Sequence, residues 1–298
     1  MIHVSRRPCD LCGDAQHREL YSMPDLRLKR YEKEYTVVEC LECGHRYLNP
    51  CPTPESIPLL YDPAYYQGRR LDDTRQLDRW EKMVRLLPSV HQGRILDVGC
   101  AGGAWLKVVR ERAWECYGTD MHQSPYLESG IKYQWGCLPE LEYVDSYFDV
   151  ITAWGVMEHI YKPSVYFNTI RRLLKKGGLF IFLVPNADSI WSRWAYKEDI
   201  PRHLHFFRKK TLCRYAVQND MKIKDILFTN TFSPQPATGR TVFKRRFMRL
   251  CGASWREMNE GTQRTWLSLA GKFGTLCDYL WIHPWIEERL RVCGNMVV

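Results

Sequence analysis

The chain has 298 residues, of which 45% are hydrophobic and 13% aromatic, and a formal charge of +9. These values exclude a disordered chain and suit either one large α/β domain with additions or two domains. No window approaches ~18 consecutive apolar residues, which excludes a spanning helix, and the charge permits an anionic substrate, RNA or a membrane surface without selecting among them.

The first segment, Met1-Ile2-His3-Val4-Ser5-Arg6-Arg7, has no apolar core behind its charges, so it does not read as a secretory signal. A cytoplasmic location is expected, with the 12 cysteines serving metal binding and buried thiols rather than disulfides. Residues 1–52 carry Cys9-Asp10-Leu11-Cys12-Gly13 and Cys40-Leu41-Glu42-Cys43-Gly44, two Cys-x-x-Cys-Gly knuckles separated by 27 residues. Each two-residue gap lets one tight turn supply two thiolates about 2.3 Å from a tetrahedral ion, so Cys9, Cys12, Cys40 and Cys43 are read as a structural zinc ribbon. His45 and Cys51 lie close by, but four ligands are already present. A module this small needs a metal because its own core is too small.

Residues 53–92 read as a connector with leading helices. Thr53 is the expected N-cap, with Pro54 at the first helical position. Tyr61-Asp62-Pro63-Ala64-Tyr65-Tyr66 either folds over a ligand or packs between domains. Leu77, Trp80, Met83, Val84 and Leu87 recur at helical spacing over 73–87.

From residue 93 to 298 strands alternate with helices: strands over 95–98, 115–118, 132–134, 148–154, 179–184, 222–228 and 295–298, helices over 103–112 and 162–174. The fold class is therefore α/β, a mostly parallel Rossmann-like sheet of seven strands covered by helices on both faces. A helix is also expected around Ser189 to Tyr196, and a mostly helical insert over about 232–291. The turn at Asp97-Val98-Gly99-Cys100-Ala101-Gly102-Gly103 ends a buried strand in an acid and small residues, which let a ligand touch the backbone. Gly-x-Gly-x-x-Gly, the dinucleotide spacing, fails here because Ala101 and Ala104 occupy two of its glycine positions.

The spacing instead resembles Asp-x-Gly-x-Gly-x-Gly, the first motif of the class I S-adenosylmethionine-dependent methyltransferases. Ala101 replaces the middle glycine, a change tolerated where its φ is negative. Gly118-Thr119-Asp120, Tyr147 to Ile151 with Val156-Met157-Glu158-His159-Ile160, and Leu173 to Ile181 resemble three further motifs of that family in the same order. The resemblance covers about 73–228. It implies that Gly99, Ala101 and Gly103 present backbone to the cofactor, and that Asp97 orients the loop amides and meets the cofactor's amino group. Asp120 takes the two ribose hydroxyls, Met121 and Leu138 wall the adenine, and Trp154 lies near the methionine sulfonium. Trp154 would equally serve as plain core.

For a hydroxyl acceptor the protein must also remove a proton, and His159, His203 and His205 are the candidate bases. Glu158-His159 follows the fourth strand; in the family this pair is often structural. Pro201-Arg202-His203-Leu204-His205-Phe206 resembles a stretch of methyltransferases close to the ubiquinone-biosynthesis O-methyltransferases. Strand alternation would put His203 and His205 on one side, facing pocket or core.

Chains joining a zinc ribbon to a methyltransferase domain resemble enzymes of bacterial sugar and polysaccharide modification. O-methylation of a sugar, glycan or lipid-linked small molecule is therefore the first reading. An RNA methyltransferase is the second, opposed by the 8 Lys+Arg and 8 Asp+Glu of residues 1–50 and by the absence of an Asn-Pro-Pro-Tyr motif after the fourth strand. A non-catalytic cofactor-binding scaffold is the third. From Phe232 onward 10 Lys+Arg meet 5 Asp+Glu, which suits a substrate lid, a dimer surface or a peripheral contact with anionic lipid.

Overall fold

The computed structural model describes residues 2–25, 28, 30–61, 74–89, 93–125, 127–189, 199–229 and 295–298. The expected tyrosine-rich stretch over 62–66, nearly all of the helix at 189–196 and the insert at 232–291 lie outside them. In chain order the first strands are β1 (Val4–Ser5), β2 (His17–Asp25), β3 (Arg30–Cys40), β4 (Arg46–Leu48) and β5 (Cys51–Pro52). Helix α1 (Thr74–Val84), β6 (Arg94–Val98), α2 (Ala104–Arg110), β7 (Glu115–Asp120) and β8 (Lys132–Trp135) follow. Then come β9 (Phe148–Trp154), α3 (Pro163–Leu173), β10 (Leu174–Pro185), β11 (His205–Phe206), α4 (Lys209–Gln218), β12 (Leu227–Thr229) and β13 (Asn295–Val297).

Two compact units divide the chain. The first comprises Met1–Tyr65, Pro185–Lys209 and Phe228–Met296, the second Tyr66–Val184, Lys210–Leu227 and Val297–Val298. In the first unit β1 pairs with β5, and a four-stranded antiparallel sheet runs β11-β4-β3-β2. Aromatic and β-branched residues carry the long hairpin: Tyr35, Val37 and Val38 of β3 are buried. The ribbon sheet is thus not confined to residues 1–52, because its fourth strand is His205–Phe206, paired with Tyr47 and Arg46. Helix onset at Thr53 comes later than expected: Ser56 and Ile57 donate to the Thr53 carbonyl, and the 3₁₀ turn spans Ile57–Leu60.

The second sheet has the order β12-β13-β10-β9-β6-β7-β8. From β10 through β8 every pairing is parallel. Ile95, Leu96, Asp97 and Val98 are all buried, the unbroken burial of a central strand covered on both faces. Helix α3 starts on Pro163 and turns Phe167, Ile170 and Leu173 inward, with Phe167 stacked on Tyr215 at 5.0 Å. Phe182 and Val298 exchange both backbone hydrogen bonds, so the chain end adds antiparallel to β10. The order reverses between β6 and β9, a switch point that opens a crevice at the strand ends, where open α/β sheets hold their ligands. No helix among the described residues is long and apolar enough to cross a membrane.

Candidate active site

The loop after β6 sits at that switch point. Gly99 and Cys100 donate to the Thr119 carbonyl at 2.7 and 3.1 Å, which ties the loop to the end of β7. Gly99 has φ +72° and a Cβ there would lie 2.5 Å from Val156. Gly103, φ +87°, is the N-cap of α2, and a Cβ would meet the Tyr133 hydroxyl. Both positions therefore demand glycine. Ala101 departs from expectation: its φ is +48° rather than negative. The left-handed region costs a side-chain-bearing residue about 1–2 kcal/mol, and the strain is held where a ligand would meet the backbone.

The acids divide their work differently from the family-based reading. Asp97 is 3% exposed and its Oδ1 accepts from the Thr152 hydroxyl at 2.6 Å. Thr152 in turn accepts from Trp105 Nε1 at 3.2 Å. Burial pushes the Asp97 carboxyl up to about 8, partly offset by Thr152, with Asp120 adding repulsion. No lysine or arginine pairs with Asp97 among the described residues. The loop amide is held by Asp120 instead, whose Oδ2 accepts from Ala101 N and whose Oδ1 accepts from His122 N, both at 3.0 Å. Each carboxylate oxygen retains a second lone pair for a ligand hydroxyl.

Around these acids Leu138 is 1% exposed and Met121 42% exposed. Trp154 packs against Trp105 and Trp80 with ring centroids 5.3 and 6.3 Å away. Its Nε1, like that of Trp80, is buried with no hydrogen-bond partner among the described residues. Sequence reasoning missed two residues. Thr152 hides inside an apolar strand, and the Tyr133 hydroxyl props the loop by donating to the Gly102 carbonyl at 3.1 Å. Thr152 stands opposite Asp97 in the parallel β6–β9 register, a pairing that local sequence does not signal.

The candidate bases sit on different elements. His159 ends the 3₁₀ turn Met157–His159 in the second unit, half-buried, with Glu158 buried beside it. His203 is buried in the first unit, in the turn before β11, with Nε2 3.3 Å from Asp199 Oδ2. His205 lies within β11 itself. Its Nδ1 is 2.8 Å from His45 Nε2 and its Nε2 3.1 Å from Arg7 Nη2. Strand alternation therefore does not relate the two, since His203 precedes the strand.

A family profile described as "Methyltransferase domain" matches residues 69–224, more than half of the chain. The chain belongs to the methyltransferase-domain family. Among curated relatives, the ubiquinone biosynthesis O-methyltransferase of Pseudomonas fluorescens (strain SBW25) is 28% identical over 154 residues, 45% of this chain and 66% of that protein. The Pseudomonas aeruginosa (strain LESB58) protein of the same name is 26% identical over 160 residues, with the same coverage. The chain thus spans just under two thirds of the length of these relatives. The solved Burkholderia thailandensis 1,6-didemethyltoxoflavin-N1-methyltransferase, bound to 1,6-didemethyltoxoflavin and S-adenosylhomocysteine, aligns with a TM-score of 0.50 at 16% identity. That alignment covers 67% of this chain and 92% of that one and shows a shared fold.

This methyltransferase-domain chain carries a second site in its first unit. Cys9, Cys12, Cys40 and Cys43 bring their sulfurs within 4.8 Å of one another. Cys9–Cys43 and Cys12–Cys40 are each 3.5 Å apart. Tetrahedral ligation at about 2.3 Å places sulfurs about 3.8 Å apart, so the four thiols fit one ion. The knuckles share one turn: Gly13 N donates to the Cys9 carbonyl at 2.8 Å and Gly44 N to the Cys40 carbonyl at 2.9 Å. Burial pushes the Cys43 thiol up to about 11.

Proposed function

We propose that this protein is an S-adenosylmethionine-dependent methyltransferase acting on a hydroxyl of a small molecule, with structural zinc on its four cysteines. The observation that carries the reading is the pairing of Asp97 and Asp120 across one glycine-bent loop. Asp97 is buried without a counter-cation, a costly state that a ligand ammonium would relieve. Asp120 is preset by two amides, with lone pairs left for a cis-diol. Trp154, Met121 and Leu138 supply apolar and aromatic surface beside them, and Gly99, Ala101 and Gly103 supply backbone.

When bound, S-adenosylmethionine supplies an activated methyl group. The protein then has to orient the acceptor, exclude water and take up a proton. His203 is our base, because a carboxylate beside its ring orients it. His205 is given instead to the ribbon sheet, where both its ring nitrogens have neighbours, and His159 is the remaining alternative. The relatives named for O-methylation favour a hydroxyl acceptor, and the ribbon–methyltransferase combination favours a sugar, glycan or lipid-linked one. The balanced charge of the ribbon segment offers no phosphate platform, which speaks against RNA.

Titration calorimetry with S-adenosylmethionine tests the core of this reading: Asp120→Ala should abolish binding, and undiminished affinity would refute the ribose assignment. The acceptor class follows from S-adenosylhomocysteine release over a panel of sugar nucleotides and phenols.

A further inference from the structure

Three buried side chains of the second unit form a hydrogen-bonded line that ends on Asp97. Trp105, Thr152 and Asp97 are each at most 3% exposed. Trp105 Nε1 donates to Thr152 Oγ1 at 3.2 Å, and Thr152 Oγ1 donates to Asp97 Oδ1 at 2.6 Å. The β6–β9 register sets Thr152 beside Asp97, and the turn through the Gly103 N-cap brings Trp105, the second residue of α2, to the same place. The Trp105 ring meets Trp154 edge-on at 5.3 Å and Trp80 at a tilt at 5.6 Å, so aromatic contacts hold its plane.

This line has a direction. An indole nitrogen only donates, so a Thr152 lone pair receives it and the Thr152 hydrogen has to point elsewhere. The acceptor it meets is Asp97 Oδ1. That leaves Oδ2 without a hydrogen-bond partner among the described residues, and a neutral Asp97 carries its own hydrogen there. Leucine or phenylalanine would fill the space of Trp105, and valine that of Thr152, with no buried N–H or hydroxyl to satisfy. What the polar pair adds is a fixed orientation of the carboxyl.

We propose that Trp105, acting through Thr152, is a positioning residue that pins Asp97 Oδ1 and reserves Oδ2 for the ammonium group of the bound ligand's amino-acid arm. This rests on the reading of Asp97 as the partner of the cofactor's amino group. Trp105 itself makes no contact with the ligand. Its indole sets the hydroxyl, the hydroxyl sets the carboxyl, and the carboxyl meets the charge.

The test is titration calorimetry on the full chain with S-adenosylhomocysteine and with the analogue in which hydrogen replaces its amino group. Trp105→Phe keeps an aromatic ring and removes the N–H. Thr152→Val removes the hydroxyl at nearly constant volume, and Thr152→Ser keeps it. Trp105→Phe and Thr152→Val should each raise the S-adenosylhomocysteine Kd by about threefold to tenfold and leave that of the deaminated analogue unchanged. Thr152→Ser should bind both ligands as the wild type does. In the Thr152→Val background, adding Trp105→Phe should weaken binding no further.

An unchanged S-adenosylhomocysteine Kd in Trp105→Phe, an equal loss for both ligands, or additive losses in the double variant overturns the positioning role and leaves the cofactor reading standing. Equal wild-type affinity for the two ligands, or undiminished S-adenosylhomocysteine binding in Asp97→Asn, overturns the reading of Asp97 and the proposal with it. Should Trp105→Phe fail to fold, Thr152→Val against Thr152→Ser decides, equal affinities for S-adenosylhomocysteine overturning the proposal.

Discussion

Asp25 and Asp97 are both buried carboxylates, yet their surroundings are opposites. Asp25, in the ribbon unit, faces a guanidinium that bonds both its oxygens. Asp97, in the methyltransferase sheet, has a hydroxyl as its hydrogen-bond partner and a second acid as its electrostatic neighbour. Burial costs each of them hydration, but only Asp25 recovers that cost inside the protein. An acid left without its cation marks where a positively charged ligand group belongs, whereas a completed pair marks architecture.

Several experiments can break or sharpen that contrast. The largest effect is expected on the ribbon's other internally completed site. Cys40→Ser should reduce bound zinc from about one ion per chain to none by metal analysis, and should cost the ribbon on the order of 10 kcal/mol of apparent folding free energy. Retained metal would break the assignment. Next comes Asp97. Its folded-state value of about 8 lies above the ordinary value of about 3.9. Its contribution is therefore fully present below pH ~4 and is lost as pH rises towards ~8, with a slope of up to about 1.4 kcal/mol per unit. Ligand-free thermal melts should fall across that window in the wild type and flatten in Asp97→Asn. Binding of S-adenosylmethionine near pH 7 should release about one proton, measurable by calorimetry in buffers of different ionisation enthalpy. Matching pH profiles for the two proteins would remove the contrast between the acids.

Asp25→Ala takes the two-oxygen partner from a buried guanidinium that keeps Asp199 at its Nε, and should destabilise by up to about 3–5 kcal/mol in chemical denaturation. A loss under 1 kcal/mol would mean the pair contributes little. The smallest effect is Ala101→Gly. Relief of about 1–2 kcal/mol of left-handed strain against about 0.5–1 kcal/mol of glycine entropy leaves a gain of about 0.5–1 kcal/mol. A loss on that substitution would show the φ at this position to be unstrained.

The two units also differ in how far they could be read in advance. The sheet strands from β6 to β10 and the β6 loop were legible because apolar runs, breakers and acids sit at short, regular spacing. The four cysteines were legible for the same reason. Thr152 was not, since a hydroxyl inside an apolar strand looks like any other half-buried residue. Nor was the sign of φ at Ala101, which the packing of the whole loop decides. His205 and Arg202 were the hardest. Their partners lie 160 and 177 residues away, and only the pairing of β11 with β4 brings them together. Local pattern carries no trace of such a pairing.

That pairing also orders events during synthesis. The ribbon sheet receives its last strand from His205–Phe206, and Asp25 receives its cation from Arg202. At about 5–20 residues per second, roughly ten to thirty seconds separate the making of β4 from the making of β11. Through that interval the nascent ribbon has three of its four strands and has yet to receive Arg202. The ribbon sheet is therefore begun before the strands β6 to β10 are made and finished only after them.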